Sequence, residues 1–295
     1  MISYNPKDWI TFIFRFHKAD TFRQLMPLML LIGLYCGAIT FLEVEYWKLP
    51  DESHVKNISI MHGMLGFVIS LLLVFRTNTA YDRWWEGRRM WGELVNNSRN
   101  LMMKLNAFIP KDKVNLKVRW RILITNYPFA LKEHLRGGFV AEELEDTDVL
   151  RVAHLSEFKH IPNKIANQLF IELENLKTTN CISDEKMLLL NEELKSFTAI
   201  AGVCERIKGT PIPYSYSSFI KRIIFLYSIT LPLGLVADLK WATVPISVFV
   251  FYTLASIELI AEEIEDPFGK DTNDLPTDDI AERIKQNLIE LGKPS

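Results

Sequence analysis

Acidic side chains crowd one short stretch near the C-terminus. In ELIAEEIEDPFGKDTNDL, residues 258–275, Glu262, Glu263, Glu265, Asp266, Asp271 and Asp274 follow directly on a long apolar run. Carboxylates at this density offer oxygen ligands to a hard cation, yet the spacing is not that of an EF-hand. The plainer alternative is that Asp266 caps a turn while the others are solvated or salt-bridged. Other chemistries find less support. His17, His54, His62, His134, His154 and His160 form no HExxH or paired arrangement, and no GxSxG, GxGxxG or P-loop is present. Cys36, Cys181 and Cys204 lie far apart without CxxC or metal spacing, and an odd count argues against a disulfide framework. With a formal net charge of −2 and no long basic tract, nothing points to nucleic acid, and no such partner is expected. An enzyme is not expected.

The elements that position these residues are apolar runs set among charged blocks. Leu25–Leu42 has no charged residue, and in Ile58–Phe75 His62 is the only ionisable side chain. Each has about the length that crosses a hydrocarbon core. Ile223–Ala237 is shorter, and after a polar break Trp241–Ile257 returns and its apolar pattern runs on to Ala261. Pro27, Pro232 and Pro245 sit inside these runs, where membrane helices tolerate them because neighbours satisfy the freed carbonyls. Buried helices of a large soluble protein are the competing reading. Two charge-free runs so close together exceed what a soluble core needs. His62, as an intramembrane ionisable residue, is expected one turn from the outer end, hydrating a vestibule.

Loop charges orient the spans. Lys7, Arg15, Lys18 and Arg23 precede the first, Arg76, Arg83, Arg88 and Arg89 follow the second, and Lys221 and Arg222 precede the third. The link between the first two carries Lys48 and Lys56 against Glu43, Glu45, Asp51 and Glu52. The sequence therefore reads as a cytoplasmic segment 1–24, spans at 25–42, 58–75, 223–237 and 241–261, a cytosolic helical region 76–222, and an acidic segment and tail 262–295. Both termini lie in the cytoplasm. Within the cytosolic region, helices are expected over Glu86–Ile109 (ended by Pro110), Leu116–His134, an acidic amphipathic Val140–Phe158, Ile161–Leu176 and Ser183–Ile207, with GTPIPY as a breaker. No cleaved signal peptide is apparent at the N-terminus.

One junction is unusual. LVFRTNTAYDRWWEGRRMWGE, residues 73–93, passes from an apolar run into tryptophan and arginine without a loop. The longer segment FRTNTAYDRWWEGRRMWGELVNNSRN resembles the signature of the bestrophin family in its bacterial branch. CERIKGTPIPYSY and IEDPFGKDTNDL resemble two further family segments, in the right order. The resemblance spans nearly the whole chain, least diagnostically over 138–180. It implies an all-α, four-span homopentameric ion channel. Its transmembrane helices continue into a cytosolic bundle, and its pore runs along the fivefold axis. The second span then runs on as one helix, with Arg76 and the aromatic block at the headgroup level, where Trp and Tyr settle and arginines snorkel. Without the family, Trp84, Trp85 and Trp91 read as packing of the cytosolic core, and Arg83, Arg88 and Arg89 as ion pairs between helices.

The resemblance also assigns sites. The family neck carries three apolar side chains at i, i+4 and i+8, the last lying eight residues before the signature arginine. Taking Arg83 as that arginine gives Phe67, Leu71 and Phe75, on one helical face, with the small residues Gly63, Gly66 and Ser70 beside it. Rings of this kind gate by dewetting and do not select by coordination. The lower aperture falls near Leu188, with Met187 and Leu189 as neighbouring registers. Animal bestrophins bind calcium in the place matching Glu263, Asp266, Asp271 and Asp274. Here Lys270 replaces an acid and Thr272 and Asn273 break the run, so no cofactor is required and calcium stands as a doubtful ligand. Partners are further copies of the chain, membrane lipids and monovalent ions. The resemblance implies chloride from the animal members and monovalent cations from at least some bacterial ones, and the apolar neck leaves the sign of the ion open. The inner membrane is the expected location. A pore-less transporter or receptor and a membrane-anchored scaffold are the rivals. Inverted repeats would favour a transporter, and none is seen.

Overall fold

The computed structural model describes residues 21–47 and 56–293, the first four of the second stretch as backbone only. Lys7, Arg15, Lys18, Lys48, Asp51 and Glu52, from which the orientation was partly read, lie outside the described residues, as do His17 and His54. Every regular element among the described residues is helical. α1 covers Thr21–Phe41 and widens into a π-helical turn at Leu42–Trp47. α2 covers Lys56–Phe108, α3 Val114–Leu135, α4 Ile161–Thr178, α5 Asp184–Gly209, α6 Tyr214–Leu239, α7 Thr243–Glu265 and α8 Thr277–Leu291. Among the described residues three stretches are long and apolar enough to cross a membrane: Thr21–Trp47, Ile60–Phe108 and Tyr214–Glu265. The last is two helices, α6 and α7, joined by a single 3-10 turn at Lys240–Ala242.

The chain divides into two units. One takes the described residues up to Arg83 together with Pro211–Glu265, and the other takes Trp84–Thr210 and the described residues from Asp266 onward. The first is the apolar unit. Its core is thin: Ile32 and Cys36 of α1, Ile69 and Leu73 of α2, Ile220 and Ile224 of α6, and Phe251 and Leu254 of α7. Gly66 lets α2 approach α6 closely, since a Cβ there would sit 3.1 Å from the Tyr227 hydroxyl. Gly63 has open space around it instead. Leu30, Leu34, Met64, Leu226 and Phe249 are all left exposed, an apolar surface far larger than a soluble monomer shows.

The second, the bundle unit, has a conventional core. Trp91, Leu94 and Leu101 of α2, Trp120 and Tyr127 of α3, Leu169 of α4, Phe197 of α5 and Ile284 of α8 are buried together. Two departures from expectation lie here. Residues 140–158 do not form an amphipathic helix; they hold only 3-10 turns at Ala141–Glu143 and Val152–Glu157. Side chains capture the backbone before a helix can start. The Asp146 carboxylate accepts from the Val152 amide, Thr147 Oγ1 accepts from the Leu150 amide, and Asn126 both donates to the Glu145 carbonyl and accepts from its amide. Short polar side chains that bond nearby backbone compete with helix in this way. Conversely, the supposed tail contains α8, which buries Ile280, Ala281, Ile284 and Leu288 on one face.

Candidate functional site

α2 carries two opposed faces within the apolar unit. Ile69, Leu73, Arg76 and Ala80 are buried, the spacing of one helical face. Phe67, Leu71 and Phe75 lie on the other side, 71%, 46% and 57% exposed. At 100° per residue, Leu71 points about 200° away from Leu73. The hydroxyls along this part of α2 are spent on its own backbone: Ser70 donates to the Gly66 carbonyl, Thr77 to Leu73 and Thr79 to Phe75. The stripe therefore presents hydrocarbon alone.

Arg76 is not at a wet boundary. It is 1% exposed and held by α7, with Nη2 2.7 Å from Glu265 Oε2 and Nε 3.5 Å from Glu258 Oε2. The expectation of snorkelling is corrected by this geometry: two carboxylates two turns apart on one face of α7 supply the counter-charge that headgroups would otherwise supply. One heptad along α2, Arg83 Nε donates to the Glu265 carbonyl at 3.0 Å, and the second Glu265 carboxylate oxygen accepts from the Ile212 amide at 2.6 Å. His62 is also buried, its Nε2 2.9 Å from Thr230 Oγ1 and its ring tilted against Tyr227. It is a link between α2 and α6, where the sequence suggested a vestibule.

The aromatic block divides. Trp91 is buried in the bundle core, Trp84 is half-buried and donates to the Asn273 carbonyl at 3.0 Å, and Trp85 is exposed. Arg88 and Arg89 make no ion pair among the described residues. Arg88 instead shares a cavity of about 450 Å³ with Asn96 and Arg99 of α2 and Arg283 and Asn287 of α8, and no carboxylate lines it.

Leu188, in the second turn of α5, is 67% exposed. Its neighbours split around it: Leu189 is exposed, Met187 packs against the core and Leu190 is inside it. Of the acidic candidates, Glu263 accepts from the Gln24 amide at 3.1 Å, and Asp266 pairs with the Lys208 ammonium. The buried Asp274 carboxylate accepts from the Asp271 amide at 2.6 Å and fills the space a Cβ on Gly269 would need. One Asp266 oxygen is buried without a hydrogen-bond partner, but its other oxygen already carries a cation. In this arrangement a calcium ion would have to displace the Lys208 ammonium from Asp266 and the Asp271 amide from Asp274.

Two clusters in the bundle unit went unnoticed in the sequence. Asp278 of α8 bridges Lys132 Nζ at 2.6 Å and Arg136 Nη2 at 2.6 Å, with Glu143 also on Lys132 and Glu133 on Arg136. The Arg136 hydrogen bond foremost, then Lys132, holds the Asp278 carboxyl well below the usual carboxylate range although partial burial opposes it. The second cluster joins His134, His160 and Glu205, the only group of three or more His, Cys, Asp or Glu side chains among the described residues close enough for one metal ion. Beside it, Cys204 is kept as a thiol, its pKa pushed up to about 12 by burial and then by Glu205 and Glu86.

Long apolar helices with lipid-sized exposed surface, an unbroken α2 and a buried arginine–carboxylate clamp define an all-helical membrane protein. Residues 1–290 match the family described as Bacterial/Fungal Bestrophin protein, and the chain belongs to that family. It is 32% identical to the voltage-dependent anion channel-forming protein YneE of Escherichia coli K12, over 99% of this chain and 94% of that one. It is 40% identical to a voltage-dependent anion channel-forming protein of Nostoc sp., over 77% of this chain and 75% of that one. Among solved structures, a bacterial bestrophin homologue from Klebsiella pneumoniae matches with a TM-score of 0.83 at 28% identity, covering 91% of this chain and 99% of that one.

Proposed function

We propose that the chain is one subunit of a homo-oligomeric, pentameric channel for small monovalent anions in the inner membrane, with both termini in the cytoplasm. α2 lines the axis, Phe67, Leu71 and Phe75 form a hydrophobic neck, and Leu188 lies at a second constriction. One observation carries this reading: the Phe67–Leu71–Phe75 stripe faces away from everything α2 packs against within the subunit. Five such stripes around an axis would make stacked apolar rings, and an apolar constriction gates by dewetting. A carbon-lined neck does not choose the sign of the ion. The anionic assignment is supported by the names of the curated relatives and by the carboxylate-free cavity bearing Arg88, Arg99 and Arg283, since clustered cationic side chains raise the local anion concentration. Calcium is no required cofactor in this scheme.

The deciding experiment is the reversal potential of the purified protein in a planar bilayer under an asymmetric NaCl gradient. A potential near that of chloride is expected. A potential near that of sodium would transfer the channel to cations, and the absence of any current from a mass-verified pentamer would remove the pore.

A further inference from the structure

We infer that His134, His160 and Glu205 form a binding site for a zinc-class divalent transition-metal ion in the bundle unit. The three side chains come from three segments. His134 lies in the last turn of α3, which Gly137 ends in the left-handed conformation at φ 74°, with the Gly138 amide returning to the Glu133 carbonyl. His160 is the residue that caps α4, and Glu205 lies near the end of α5. Their atoms already converge: His134 Nε2 is 2.8 Å and His160 Nε2 2.6 Å from Glu205 Oε1, and the two imidazoles stack at 4.3 Å between centroids, 28° apart in tilt. All three are partly exposed, so an ion reaches them from solvent.

The chemistry of the set fits one ion type. Two imidazole nitrogens and one carboxylate oxygen suit zinc, which takes ligands at about 2.0–2.2 Å and in three-ligand sites completes a tetrahedron with water. The softer thiol nearby, Cys204, is buried in the bundle core and is not among the converging ligand atoms, so the donors are N, N and O. In the metal-free arrangement hydrogen bonds draw the ligands together. His160 Nδ1 accepts from the Asn163 amide at 3.2 Å, so its Nε2 carries the proton that points at Glu205. An ion at that point needs the Nε2 lone pair, so the single ring proton of His160 moves through solvent from Nε2 to Nδ1, and the Asn163 amide loses its acceptor. Metal uptake therefore trades a helix cap for a staple across α3, α4 and α5, and local opening at Asn163 is its fingerprint.

The test uses the full chain, purified in detergent, stripped with chelator and titrated with zinc chloride by calorimetry. One site per chain is expected, with micromolar or tighter affinity. His134→Ala and Glu205→Gln should each weaken it at least tenfold. His160→Asn should do the same while keeping a capping oxygen on α4, so that loss of binding cannot be ascribed to loss of the helix. His154→Ala, outside the cluster, should leave it unchanged. Cobalt(II) in place of zinc should give the intense visible bands of tetrahedral coordination, and zinc should speed hydrogen exchange at the Asn163 amide. Absence of saturable binding, or an affinity indifferent to all three cluster substitutions, would overturn the site. Neither outcome bears on ion conduction, so this inference and the channel reading fail separately.

Discussion

Arg76 and Glu265, 2.7 Å apart, tie α2 to the last turn of α7 in the apolar unit, with the arginine side chain buried and the glutamate mostly so. Glu258 stands on the same face of α7 at 3.5 Å from the guanidinium. A buried charge that loses its partner costs about 3–5 kcal/mol. Arg76→Met leaves two carboxylates in that position, so it should lower the melting temperature strongly or prevent assembly. Glu258→Gln should cost much less, because Glu265 keeps the closer contact. The triple change Arg76→Met, Glu258→Gln, Glu265→Gln should recover part of the loss, since no lone charge remains. Melting of the detergent-solubilised variants checks the ranking; an Arg76→Met protein as stable as wild type would contradict it.

The Asp278 bridge sets a pH dependence in the bundle unit. Its carboxyl is held below its ordinary range in the folded chain, so its contribution is present above the unfolded value of about 4 and is lost as pH falls towards the folded one. Asp278 is 57% exposed, while Lys132 and Arg136 are buried. Solvent screening on one side keeps the expected cost of Asp278→Asn at neutral pH to about 1–2 kcal/mol. The wild-type advantage should hold from pH 7 to about 4 and narrow below it. Melting curves of the two proteins across that range test this, and a gap that widens in acid would reverse the sign.

Calcium should have little effect. Lys208 already sits on Asp266, the Asp274 carboxylate is engaged by the Asp271 amide, and Lys270 adds a further positive charge. Calcium needs 6–8 oxygens, and reaching that number here means breaking both contacts. A calcium titration of the current should be flat or shallow, and Asp271→Asn should not alter it. Steep activation at micromolar calcium that Asp271→Asn abolishes would show that the segment rearranges to bind.

The runs at 25–42, 58–75, 223–237 and 241–261 fall within α1, α2, α6 and α7 except for Leu42, in the π-helical turn, and Trp241 and Ala242, in the 3-10 turn, because a long apolar run leaves the backbone little choice but a helix. Pro110 stops α2 two residues after Phe108, as its chemistry requires. What stayed hidden is what depends on the third dimension. His134 and His160 are 26 positions apart in sequence and meet only because α3 ends where α4 begins to pack. α8 is legible in principle, since Ile280, Ala281, Ile284 and Leu288 keep helical spacing, but the acidic residues before it give the segment the composition of a solvated tail. Residues 140–158 misled for the opposite reason, since periodic apolar positions say nothing of the Asp146, Thr147 and Asn126 bonds that outcompete a helix. Arg76 looked like a boundary residue because Glu258 and Glu265 lie more than 180 positions away.

The neck offers the sharpest test. Phe67, Leu71 and Phe75 point away from the buried face made by Ile69, Leu73, Arg76 and Ala80 and are about half exposed or more, so truncating them removes little of the burial that holds the subunit together. If they ring an axis, Phe67→Ala, Leu71→Ala and Phe75→Ala combined widen and wet the constriction, and the energetic barrier to a partly dehydrated ion falls. The triple variant should still assemble, and it should conduct more, with raised open probability in a planar bilayer. If instead the stripe is buried between neighbouring subunits, the same change opens cavities at about 3–5 kcal/mol for each phenylalanine and about 2–5 kcal/mol for the leucine, and the oligomer should dissociate. The two outcomes are opposite in sign. An intact oligomer whose current is unchanged or smaller would place the constriction elsewhere along the chain.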